Sequence, residues 1–134
     1  MIDHFDLRDW RWANFKPDEV RCSHCGELRL DPGAMDKIQR ARERYGKPVL
    51  IASGYRCPMH PLEIVKVTPG SHATGTAFDA YPASTSPGDS LAWFAALAAQ
   101  GLYRFGFSPS YFTTGHGKLH VDWNKDRPPA VWYY

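Results

Sequence analysis

The clearest periodicity in the chain lies in DPGAMDKIQRARERYG, residues 31–46. Ala34, Met35, Ile38, Ala41 and Tyr45 recur at helical spacing and form one apolar stripe. Asp31 suits the N-cap, Pro32 the first helical position and Gly46 the residue that closes the last turn, so the pattern predicts a helix. Pro48 then opens VLIAS, a short buried-strand pattern. Alternation predicts further strands. TAFDAY puts Ala77, Asp79 and Tyr81 on one face, LYRFGF reads as a strand, and KLHVDW sets Lys118, His120 and Asp122 against Leu119, Val121 and Trp123. LAWFAALAAQ is apolar nearly all round, which predicts a well-buried second helix, capped from STSPGDS and ended by Gly101. The first 30 residues carry little periodicity and read as turns and short extended pieces. Residues 53–75 are rich in Gly, Pro, Ser and Thr and read as one long loop, a feature that in a compact domain usually goes with function. The tail RPPAVWYY is expected to pack its aromatic rings on the body.

Composition narrows the classes. A length of 134 residues fits a single domain over 1–134, and five Trp with seven Tyr are ample for its core. The formal net charge is +2, with acids and bases mixed and no basic run, so nucleic acid is not the expected partner. MIDHFDLRDWRW lacks the apolar core of a signal peptide, and no apolar run approaches the roughly 20 residues that span a bilayer. Synthesis in the cytoplasm without a signal peptide is expected, with no membrane partner. Three cysteines are too few for a disulfide-rich scaffold.

The stretch GSHATGTAFDAYP places His72, Gly75 and Asp79 in a run of small residues that neither helical nor strand periodicity explains. Gly75 allows a tight fold that swings His72 back over the strand carrying Asp79, and His120 is a third candidate on its own strand. Two imidazoles and a carboxylate suit Zn²⁺, with the fourth position left open as in catalytic zinc sites. The same residues also serve as solvated or capping groups in many proteins, and spacing alone leaves both readings open.

SGYRCP, SHATGTAFD and LHVDW, in that order, resemble the zinc D-Ala-D-Ala carboxypeptidase family. Its superfamily takes in bacterial and phage peptidoglycan peptidases and the hedgehog signalling domain. The likeness covers roughly residues 15 to 132 and is nearest to the small phage and prophage members. It implies an α+β fold, a small antiparallel sheet with flanking helices. It implies His72, Asp79 and His120 as ligands of a catalytic zinc and Arg56 as the holder of a substrate carboxylate or carbonyl. The implied activity is zinc-dependent hydrolysis of a peptidoglycan stem peptide, at D-Ala-D-Ala or L-Ala-D-Glu, by a monomeric phage or prophage lysin acting on the wall after release or within a phage particle. A non-catalytic zinc-bearing module of the same fold is the alternative.

Two departures matter. Ser71, a candidate substrate contact, stands immediately before His72, where many relatives have a serine two residues before. Gly117 stands three residues before His120, where many relatives carry the acid that serves as general base. Asp122 is the first substitute, about 6.5 Å along the strand from His120 and on the same face, able either to act as base or to orient His120; a structural pairing with Lys118 or Arg127 is the plain alternative. His116 is the second, if its flanking glycines turn the chain back. His24 and His60 are weaker options.

Cys22 and Cys25 form C-x2-C, and Cys57 and His60 form C-x2-H. Together they have the spacing of a structural Cys3His zinc site, provided the N-terminal segment lies beside the loop at 53–60. Reduced thiols, or one disulfide with a thiol left over, are the alternatives.

Overall fold

The computed structural model describes residues 4–134. Four helices, α1 (Pro17–Val20), α2 (Pro32–Tyr45), α3 (Pro87–Ala98) and α4 (Pro109–Thr114), accompany five strands, β1 (Val49–Ser53), β2 (Ala77–Pro82), β3 (Arg104–Phe107), β4 (Leu119–Asp122) and β5 (Ala130–Tyr133). The strands form one sheet in the order β1-β2-β4-β3-β5. The class is α+β, as expected. The sheet, however, is mixed: β1–β2, β2–β4 and β4–β3 pair antiparallel, while β5 runs parallel to β3. The tail therefore does more than lay its rings on the body. It completes a sheet edge, and Tyr103 O accepts the Ala130 N–H at 3.0 Å where the strand begins.

Local chemistry sets the helices as expected. Asp31 accepts the Ala34 N–H at 3.0 Å, and Gly46 closes α2 in the left-handed conformation at φ 78°. Ala34, Met35, Ile38 and Ala41 of its stripe are buried. Helix α3 is a correction: Trp93, Ala96 and Leu97 are buried, but Leu91 is 60% exposed and Ala92, Ala95 and Ala98 face outward. Its alanines serve helix propensity, which needs no burial. Helix α4 carries no apolar stripe to announce it; only Tyr111 in it is buried.

The sheet has two distinct faces. Phe78, Ala80, Leu119 and Val121 point into the core, and the Trp93 indole N–H donates to Ala80 O at 3.0 Å, pinning α3 to β2. The other face carries the polar residues. Register aligns Ser53, Asp79, His120, Gly106 and Trp132 in one row across all five strands. A bulge between Ile51 and Ser53 brings Ser53 opposite Asp79.

Gly106 in that row has a specific reason. A Cβ there would fall inside the indole of Trp132, which lies over the glycine and against His120 with ring centroids 5.3 Å apart. Gly106→Ala should push the indole off the row and cost about 1–3 kcal/mol, as overpacking does. The urea midpoint and near-UV circular dichroism test this; an unchanged midpoint with an unchanged spectrum would contradict the packing described.

Candidate metal centre

The residues 71–74 form one 3-10 turn that Gly75 closes at φ 71°, its N–H donating to His72 O at 3.3 Å. This turn drops His72 onto the sheet face beside Asp79. His120 faces Asp79 directly across β2 and β4. The three side chains converge: His72 Nε2 lies 3.1 Å from His120 Nδ1, and Asp79 Oδ1 lies 3.3 Å from the first and 3.4 Å from the second. The edges of a tetrahedron around Zn²⁺ with bonds of about 2.0–2.1 Å are about 3.3–3.4 Å long, so the spacing fits a zinc ion.

The outer atoms of the three ligands explain which inner atoms are free. His72 Nδ1 sits 2.7 Å from Gly54 O, which can only accept, so the proton of neutral His72 is on Nδ1 and the lone pair is on Nε2. His120 Nε2 sits 2.9 Å from Asp122 Oδ2, so its proton points to that carboxylate and Nδ1 carries the lone pair. Asp79 uses its second oxygen to accept from Arg56 Nη2 at 3.2 Å. With the histidines neutral, three lone-pair atoms thus crowd one point, an arrangement that a bound cation relieves. Histidine ligands with their far nitrogens fixed by a carbonyl or carboxylate are the usual support of zinc.

Without a metal the same groups share protons. Burial alone would raise the Asp79 pKa, but His120 and His72 hold it well below the usual carboxylate range. Burial opposes charge on His120, yet the carboxylates of Asp122 and Asp79 raise its pKa, so in the metal-free chain a proton competes for Nδ1. Burial likewise works against a charged Asp122, and its bonds to His120 and to the Asn124 N–H, together with the nearby Arg104 charge, lower its pKa nonetheless.

Asp122 is fully buried. Its Oδ1 accepts from Arg104 Nε at 2.9 Å and from the Asn124 N–H at 3.2 Å. Its partner is therefore Arg104, neither Lys118 nor Arg127; Lys118 lies over the Tyr134 ring, and Arg127 donates to Pro69 O. Arg104 itself donates to Pro128 O and lies against Trp132. Nothing in the alternation of LYRFGF singled it out.

Arg56 is committed as well. Besides Asp79 it donates from Nε to Ser53 Oγ at 3.1 Å, and its Nη1 lies 3.8 Å from Glu63. Glu63, also unforeseen, is buried; burial opposes its charge, but Lys66, the Gly70 N–H and Arg56 keep its pKa below the usual range. Ser71 is buried at the cavity wall, its Oγ accepting from Asn124 Nδ2 at 3.2 Å. His116 is exposed and lies outside the residues that line the cavity. Gly117 has φ 130°, and a Cβ there would collide with Ser108 Oγ and Ser110 Oγ, so an acidic side chain does not fit that position on this backbone.

Two recesses meet over Asp79 and His120. One, about 220 Å³, runs toward Ser71, Arg127 and Trp132; the other, about 440 Å³, runs toward Leu62, Tyr81 and Lys118. Arg56, Lys66 and Tyr134 border both.

The cysteines also meet. The sulfur atoms of Cys22, Cys25 and Cys57 lie within 4.8 Å of one another. His60 is beside them rather than among them: its Nδ1 accepts the Leu62 N–H at 3.1 Å, and its Nε2 lies 3.2 Å from Ser23 Oγ. The imidazole that touches a sulfur is His24, with Nδ1 3.4 Å from Cys57 Sγ.

The family model described as peptidase M15 matches residues 13–110, most of the chain. No curated protein and no solved structure matches it. The matched span includes Arg56, His72 and Asp79 but stops before His120 and Asp122, which the register of β4 on β2 brings to the same point. With the match and the ligand geometry together, the chain belongs to the peptidase M15 family, whose members are zinc-dependent metallopeptidases.

Proposed function

We propose that the protein is a zinc peptidase that cuts inside peptidoglycan stem peptides. The observation that carries this is the convergence of His72 Nε2, His120 Nδ1 and Asp79 Oδ1 with every outer ligand atom already fixed. A zinc ion bound there supplies Lewis acidity toward a peptide carbonyl and activates water near neutral pH. The chain's own groups do the rest. Gly54 O and Asp122 set the tautomers of the two histidines, and Arg56 holds the second oxygen of Asp79. Lys66, Arg127 and Lys118 border the recesses and suit a substrate rich in carboxylates. Because Arg56 is spent on Asp79 and Glu63, it acts on the ligand set more than on a substrate carboxylate. Recesses on both sides of the triad favour a peptide lying across it, hence an L-Ala-D-Glu type of cut over removal of a terminal D-Ala. The order of the three motifs favours a phage or prophage lysin, acting on the wall after release or from within a particle.

One observation favours a second reading, a zinc-bearing module without turnover. Among the described residues, the carboxylates lining the two recesses are Asp79 and Asp122, and both are engaged. Wall-embedded gels separate the readings. Clearing that a chelator abolishes and added zinc restores is expected. Mass spectrometry of digested muropeptides should show cleavage within the stem. Loss of only a terminal D-Ala would refute the internal cut, and intact walls under zinc-loaded protein would leave the non-catalytic reading.

A further inference from the structure

The three cysteines belong neither to the sheet face nor to the recesses at the triad. Cys22 and Cys57 are buried and Cys25 is exposed, and none of the three is in a disulfide. They come from two distant segments. Residues 22–26 make a tight turn in which the Gly26 N–H donates to Cys22 O at 2.9 Å, with Gly26 at φ 77°. The Cys57 N–H donates to Cys22 Sγ at 3.3 Å from across the chain. An amide N–H donated to a sulfur favours its thiolate, the metal-binding form of cysteine. C-x2-C on such a turn with a third cysteine opposite is a zinc-ligand arrangement.

We infer that Cys22, Cys25 and Cys57 bind a second, structural zinc ion, with His24 Nδ1 as the fourth ligand. The 3.4 Å contact between His24 Nδ1 and Cys57 Sγ makes His24 the imidazole that touches the cluster, while the three sulfurs alone converge within 4.8 Å of one another. The ion ties the 20–25 segment to the 53–57 segment at the point where Tyr55 N–H donates to Val20 O and where only a glycine at 54 fits against the Val20 backbone. The 53–57 segment also carries Gly54 O and Arg56, which orient His72 and Asp79. The cysteine zinc is therefore a clamp on the outer supports of the first site. That last step rests on the proposed function; the metal site itself does not.

His120→Ala provides the test, since it removes a ligand of the other site. Loaded with Co²⁺ in place of zinc, this variant should show thiolate-to-cobalt charge transfer in the near ultraviolet, and Cys25→Ser in the same background should lose it. In the zinc-loaded wild-type protein the thiols should react slowly with a disulfide reagent and quickly once a chelator is added. Cys25→Ser alone should bind one equivalent of zinc fewer than wild type, melt at a lower temperature, and hold its remaining zinc more weakly. His24→Ala should weaken cobalt binding more than His60→Ala. Absent charge transfer, thiols that react at once in the zinc-loaded protein, or an intact mass lighter by two hydrogens from a disulfide would each overturn the site. A larger effect at His60 would overturn the assignment of its fourth ligand.

Discussion

His72→Ala and His120→Ala should each lose zinc from the triad and fall to background in wall hydrolysis while the protein stays folded. Each removes one of three ligand atoms at the point where the lone pairs meet, leaving a pair too weak to hold the metal against competition. His72 sits in the 3-10 turn on the sheet face and His120 on the polar face of β4, both outside the apolar cluster. Relief of lone-pair crowding in the metal-free form offsets part of the lost packing, so the fold is expected to survive. Elemental analysis in a background without Cys25 isolates the triad, and far-UV circular dichroism reports the fold. Undiminished zinc in both variants would reject the ligand assignment. Zinc loss with activity retained would break the link between this metal and hydrolysis.

How much of this was legible in the sequence depends on whether the cause was local. Helix α2 was readable because its cap, stripe and closing glycine all lie within one stretch, and β2 and β4 because alternation marks a half-polar sheet face. The triad residues were nameable because three motifs in order resemble a zinc peptidase family; the spacing around His72 alone left solvated or capping roles open. What could not be read was long-range. Arg104 meets Asp122 only through the β3–β4 register, and Trp132 covers His120 only because the tail pairs parallel to β3. Gly54 contributes a carbonyl oxygen, which no side-chain pattern announces. The failed inference about α3 has the same root, since an alanine-rich run is equally compatible with a buried helix and with an exposed helical face.

Asp122→Asn separates base from support. Asp122 now accepts on both oxygens: from His120 on one side and from Arg104 and the Asn124 N–H on the other. An asparagine has only one acceptor oxygen. Arg104 is buried and charged, and with the Asn124 N–H it presents two donors, so the amide oxygen turns to that side. The amide NH₂ then faces His120 Nε2 and donates to it. His120 must shift its proton to Nδ1, the atom that meets His72 and Asp79, and the lone pair the metal needs is gone. Zinc affinity should drop by about 10–100-fold, the range for lost outer-shell partners. Arg104 also loses its counter-charge, and uncompensated buried charge costs about 3–5 kcal/mol; the retained hydrogen bond and Pro128 O place the expected loss near the lower end. Urea unfolding of the metal-free protein measures that cost, and competition with a chromophoric chelator measures the affinity. At saturating zinc most of the rate should return, because Asp122 is fully buried and both its oxygens are already engaged. His116→Ala should behave as wild type, being exposed and away from the cavity lining. A general base would give the opposite result: unchanged zinc affinity and a rate about 10²-fold lower or worse even with the metal bound. That pattern would move Asp122 from holding His120 in its metal-binding tautomer to taking the proton itself.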